Sequence, residues 1–176
     1  EGTLIIPTVG EVVVADLTLA KAKEKIVALV RRRYLTSEIT ATLVKPRPII
    51  VTVTGEVRND GLYTLSAIDR ANKAIEEANR PTRFQIEADA GKVIAAMSLR
   101  DIVIRHKDGR RDRVDLVKYL STKEDRWNPF LREGDVIIVP QKNSAKNAFG
   151  IYGEVNSPGR YEFVEGDSLH DALEIG

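Results

Sequence analysis

The chain has 176 residues, 43% apolar and 30% charged, which suits one large or two small soluble domains with a sizeable core. Its 27 basic and 26 acidic side chains leave a net charge of +1, so no global field draws in an anionic membrane, and no nucleic-acid partner is expected. The lack of cysteine excludes disulfides, thiolate metal sites and cysteine nucleophiles, and no apolar run approaches the roughly 20 residues that span a bilayer.

The sequence opens on Glu1-Gly2 rather than Met and stops at Gly176, where a helical pattern of Leu169, Ala172 and Leu173 has barely begun. These ends predict a piece of a longer protein, with any targeting or anchoring segment outside it.

In chain order, Thr3 to Pro7 and Glu11 to Val14 read as short strands around a turn at Thr8 to Gly10. Asp16 and Thr18 are both candidate caps for a helix over Leu19 to Leu35, whose apolar stripe includes Ala22, Ile26, Leu29 and Val30. Arg31, Arg32 and Arg33 fall in its last turn, where positive charge complements the helix dipole. Ile39, Ala41 and Leu43 alternate with Thr40, Thr42 and Val44 as a half-buried strand. Lys45-Pro46-Arg47-Pro48 then breaks the pattern and marks a module boundary.

Ile49 to Glu56 is a β-branched strand, Asn59-Asp60-Gly61 a tight turn, and Leu62 to Leu65 the return strand. Asp69 is expected to cap a helix carrying Ala71, Ala74, Ile75 and Ala78, which Arg80-Pro81 ends. Residues 82–98 are the least readable; Glu87 to Met97 has a helical cast that Gly91 weakens. A hairpin follows, with Ile102 and Ile104 on one strand, Lys107-Asp108-Gly109 at the tip, and Val114 and Leu116 on the other. Val117 to Leu120 reads as one helical turn. Glu133-Gly134-Asp135 makes a turn into the strand Val136 to Val139, stopped by Pro140, and Gln141 to Ala148 reads as a polar loop.

Self-comparison gives the most specific signal. Residues 53–63, VTGEVRNDGLY, align without gaps on residues 151–161, IYGEVNSPGRY, at an offset of 98 residues. Gly55 and Gly153, Glu56 and Glu154, Val57 and Val155, Gly61 and Gly159, and Tyr63 and Tyr161 are shared. The register continues through Asp69 and Asp167, and Ala74 and Ala172. The first glycine suits a close backbone approach, the second a turn with positive φ, and the tyrosine a buried ring with a wet hydroxyl. A strand–turn–strand–helix unit is thus expected twice.

Three groups of residues carry a resemblance: Gly2-Thr3-Leu4-Ile5-Ile6-Pro7 with Val9-Gly10-Glu11-Val12 and Leu17-Thr18-Leu19-Ala20-Lys21-Ala22; the two copies GEVRNDGLY and GEVNSPGRY; and Asn128-Pro129-Phe130-Leu131 with Glu133 to Pro140. The first resembles the second half of the export domain of the outer-membrane polysaccharide export family. The others resemble the start and end of that family's soluble-ligand-binding β-grasp module, and Val103-Ile104-Arg105 with Asp108-Gly109 fits its middle. Where the family has paired glycines after the module's first helix, this chain has Asn79-Arg80.

The resemblance implies an α+β fold of small mixed sheets, each with a packed helix, in β-grasp-like repeats. It implies the end of an export domain over residues 1–46, a β-grasp module over 47–145, and the start of a second over 146–176. It further implies a structural, periplasmic part of a ring-forming channel, in a protein associated with the outer membrane that exports capsule or exopolysaccharide. The expected partners are copies of the same protein, an inner-membrane polysaccharide co-polymerase and the polysaccharide cargo; membrane contact comes only through segments outside this chain.

No catalytic, metal or cofactor constellation assembles from the residues, and no enzymatic activity or cofactor is expected. His106 and His170 read as solvated, and the adjacent pairs Glu76-Glu77 and Glu124-Asp125 diverge on a helix rather than converge. The alternative to a scaffold is a carbohydrate- or small-ligand-binding module. Its candidate residues are Arg58, Asn59, Asn156 and Ser157 in the two repeated turns, Arg110 and Arg111 at the basic hairpin, and Trp127, a ring suited to stacking on a sugar.

Overall fold

The computed structural model describes residues 2–15, 17–35, 38–81, 97–142 and 147–176, and the chain divides into two compact units, Glu1–Lys45 and Pro46–Gly176. In the first unit, β1 (Thr3–Ile6) pairs antiparallel with β2 (Gly10–Val13). Helix α1 (Leu19–Arg31) is capped by Thr18, whose hydroxyl accepts from the Lys21 N–H at 3.3 Å. The other candidate cap, Asp16, lies outside the described residues, as do residues 82–96 and the helix expected there. Lys25 reaches back to the Val13 carbonyl at 2.9 Å. Burial is thin: of the described residues in this unit, Val12 alone is buried. The strand expected from Ile39, Ala41 and Leu43 does not form. Alternation marks a side that can be buried, but a strand also requires a neighbour with a free edge.

The second unit contains β3 (Pro48–Gly55), β4 (Gly61–Ser66), α2 (Ala71–Asn79), β5 (Ile102–Arg105), β6 (Arg111–Val114), α3 (Leu116–Thr122) and β7 (Val136–Val139). The strands make one mixed sheet in the order β4-β3-β7-β5-β6. Each hairpin is antiparallel, and β7 enters between the two, parallel to β3 and antiparallel to β5. That arrangement, with a helix packed on one face, is a β-grasp sheet, and the fold is α+β. Along β3 the side chains alternate: Ile49, Val51 and Val53 enter the core with Ala74, Ile104 and Ile137, while Ile50, Thr52 and Thr54 face the other way. Helix α3 is longer than the single turn expected, because the Asp115 carboxylate accepts from the Lys118 N–H at 2.9 Å and caps it.

Asp69 does not cap α2. The N-cap is Arg70, and the Asp69 carboxylate accepts instead from the Ser66 N–H at 2.8 Å. The cap comes from a distant loop: Asn128 Oδ1 accepts from the Asn72 N–H at 3.0 Å, and the Pro129 carbonyl accepts from the Ala71 N–H at 3.1 Å. Asn128 Nδ2 also donates to Asn72 Oδ1 at 2.8 Å, and the Arg70 guanidinium lies 4.0 Å over the Phe130 ring. Glu133 Oε2 accepts from the Ile50 N–H at 3.0 Å, and the Ile50 carbonyl accepts from Gly134 at 2.8 Å. The Asn-Pro-Phe and Glu-Gly-Asp motifs are therefore clamps on α2 and β3.

The repeat is structural as well as textual. After β8 (Ala148–Ile151) come β9 (Gly159–Glu162) and α4 (Leu169–Ile175), which begin 98 residues after β4 and α2. Gly55 and Gly153 share positive φ, 103° and 111°, and their carbonyls accept from Val57 and Val155 at 2.9 and 3.0 Å. Both tyrosines are half-buried, and their hydroxyls turn back on their own turns. Tyr63 donates to the Asn59 carbonyl and Tyr161 to that of Ser157, each at 2.5 Å. Asp167 accepts from the Val164 N–H at 2.9 Å, as Asp69 does from Ser66. The copies differ in cover. Leu65, Ala71 and Ile75 are buried, whereas their counterparts Phe163, Leu169 and Leu173 are 43%, 79% and 61% exposed beside a cleft of about 490 Å³.

Candidate functional site

The densest polar constellation lies where the second repeat meets the first module. Arg100, 1% exposed, directs its guanidinium at both sides of the junction. Nε and Nη2 donate to Asp115 Oδ2 at 3.0 and 2.9 Å, and Nη2 and Nη1 donate to Asp167 Oδ1 and Oδ2 at 2.9 and 2.8 Å. Nη1 also donates to the Glu162 carbonyl. This uses the whole planar fork of arginine, which a lysine cannot reproduce. Lys118, at the start of α3, adds a second cation 3.1 Å from Asp167 and 2.6 Å from Asp171. Ser98 Oγ donates to Glu162 Oε2 at 2.5 Å.

Burial works against the charges of Arg100, Asp167 and Asp171, and the partners outweigh it. Arg100 is held above its ordinary value by Asp167 and Asp115. Asp167 is held below its own by Arg100, the Val164 N–H and Lys118. Lys118 and Ser168 place Asp171 well below the usual carboxylate range. Such a cluster fixes geometry more than it adds stability, because desolvation consumes most of the attraction. The cluster ties β9 and α4 to α3 and to the residues just before β5.

His106 overturns the expectation of a solvated ring. It is 5% exposed, with Nδ1 2.8 Å from Asp135 Oδ1 and Nε2 2.9 Å from Asp112 Oδ2. Burial disfavours its charge, but hydrogen bonds to Asp112 and Asp135 outweigh that and raise its pKa from the ordinary 6.5. His170 is exposed, with Nε2 3.3 Å from Glu174. Among the described residues, no group of three or more His, Asp or Glu is arranged to hold a metal ion, and no helix is long and apolar enough to cross a membrane.

The sequence-predicted ligand residues occupy four separate places in the fold. Arg58 and Asn59 are half-buried against the end of α2: the Arg58 N–H donates to Asn79 Oδ1 at 3.2 Å, and Asn59 Nδ2 donates to the Arg80 carbonyl at 2.9 Å. Asn156 and Ser157 are exposed in the β8–β9 turn. Trp127 donates from Nε1 to Glu124 at 3.1 Å, and Lys118 and Arg126 lie 4.7 and 4.8 Å from its ring centre, so the ring is already engaged. Arg110 pairs with Asp108 at 2.7 Å, while Arg111 stands opposite Arg105 in the β5–β6 ladder. Sequence reasoning missed the Arg100 junction and the His106 clamp; the repeated Asp69/Asp167 position was the one sign of the first.

No family model matches the chain. It is 26% identical over 166 residues, 94% of its length, to each of two Escherichia coli proteins named polysialic acid transport protein KpsD. The alignment covers 27% of either relative, so the chain spans about a quarter of the length of the curated proteins it matches.

Proposed function

We propose that this chain is a non-catalytic scaffold segment of a protein that exports polysaccharide, working in the periplasm as part of a ring-forming channel associated with the outer membrane. The carrying observation is the Arg100 junction, which joins the two repeats through side chains almost wholly removed from water. A rigid tandem unit is what a ring wall requires, because each subunit must present its two docking surfaces at a fixed angle for the ring to close. The similarity to proteins named for polysialic acid transport supports the cargo class, an acidic polysaccharide. The partners in this reading are copies of the same protein, an inner-membrane polysaccharide co-polymerase and the polymer itself. Analytical ultracentrifugation of the full-length protein tests the ring: a closed oligomer is expected, and a strict monomer at every concentration overturns it.

A further inference from the structure

We infer that the helix-free face of the five-stranded sheet binds a carboxylated glycan through Arg105 and Arg111. This deepens the export reading above and rests on it for the biological cargo, though not for the binding itself. Arg105 and Arg111 are register partners on β5 and β6, both exposed. Like charges directly opposite on neighbouring strands destabilise a sheet. Of the nearby acids, Asp108 holds Arg110 at 2.7 Å, Asp101 holds Arg113 at 3.2 Å and Asp112 is taken by His106, while Glu165 lines the groove beside Arg111. Among the described residues neither arginine has an ion-pair partner, and the two are cross-strand neighbours on strands roughly 5 Å apart.

The same face supplies the rest of a sugar site. The row that contains Arg111 and Arg105 continues through Val136 and Thr52 to Leu62, which is 74% exposed. The next row runs Arg113, Val103, Ile138, Thr54. One half of the platform is cationic and the other is apolar with hydroxyls, matching a sugar that carries a carboxylate on one side and C–H groups and hydroxyls on the other. At the arginine end, a groove of about 380 Å³ opens beside Arg111, bounded by Val164 and by Glu165. Arginine binds carboxylates with two parallel hydrogen bonds, and a flat face admits a chain of them. No aromatic side chain sits in these two rows, so base stacking, which single-stranded nucleic acid requires, is not provided.

The test is calorimetric titration of the full chain with a sialic acid hexamer and, in parallel, with maltohexaose and anionic phosphatidylglycerol vesicles. Saturable, salt-weakened binding of the acidic hexamer alone is expected. The Arg105→Gln/Arg111→Gln variant should bind about ten-fold or more weakly, since each charged hydrogen bond contributes on that scale, while its Tm stays level or rises because the opposed charges are gone. Arg110→Gln, whose charge Asp108 already holds, should bind as the wild type does. Equal binding by the double variant, equal binding of maltohexaose, or binding of vesicles without the hexamer overturns the inference. Export is scored separately, as surface polysaccharide after deletion of the gene: loss there with no hexamer binding sinks only this inference, and retention sinks the export reading whatever the titration shows.

Discussion

Replacing Arg100 with alanine is the perturbation that separates a lock from a decoration. The substitution leaves Asp115 and Asp167 in place, with side chains 3% and 6% exposed and their shared guanidinium removed. Lys118 still lies 3.1 Å from Asp167, and the Lys118 N–H still satisfies Asp115 Oδ1, so part of the loss is compensated. Breaking a buried pair by removing one partner costs on the order of 3–5 kcal/mol, and that compensation sets the expected value near the lower end, about 3 kcal/mol. For a unit of this size the same figure corresponds to a fall in Tm of roughly 10 °C. Urea unfolding followed by tryptophan fluorescence and by far-UV circular dichroism measures it, with Asp167→Asn and the double variant completing a cycle. The coupling between Arg100 and Asp167 should exceed about 1 kcal/mol. A loss below that figure, or a coupling near zero, refutes the idea that the junction is held by this network.

Three further outcomes follow from the clamps. His106 keeps its proton above the ordinary 6.5, so the folded state binds more protons than the unfolded chain between the two values. Its contribution is complete below about pH 6.5 and is lost as pH rises through the folded value; urea midpoints should fall across that window in the wild type and stay flat in His106→Gln. Asn128→Ala uncaps α2 and leaves the Asn72 N–H without its acceptor, so unfolding experiments should show a loss of about 2 kcal/mol. Gly55→Ala would place a Cβ 2.1 Å from the Val139 carbonyl oxygen at a φ of 103°, whereas at Gly153 a Cβ meets nothing within 4 Å. Thermal melts should show the first losing about 3 kcal/mol or more and the second about 1 kcal/mol.

What the sequence disclosed depended on how local the physics was. The hairpin at Asn59-Asp60-Gly61 and the strand Val136 to Val139 announce themselves through turn chemistry and β-branched runs, and both form within a residue or two of their expected bounds. The offset of 98 residues was legible because two copies test each other. The cap of α2 was not: Asp69 stands where a cap belongs, but the acceptor for Asn72 comes from Asn128, 56 residues away. His106 failed for the same reason, since its two carboxylates arrive from the far strand of its hairpin and from the Glu-Gly-Asp turn. Ile39 to Leu43 shows the opposite error, a local alternation with no partner strand to complete it. The candidate site suffered most, because Arg100, Asp115 and Asp167 meet only once the sheet and both repeats are in place.

The scaffold role in export is most directly tested in cells that make a surface polysaccharide and carry the gene for this protein. Deleting the gene should leave polymer synthesis intact while surface polysaccharide disappears and polymer accumulates inside, with full restoration by the wild-type gene. Undiminished surface polysaccharide in the deletion strain would contradict it.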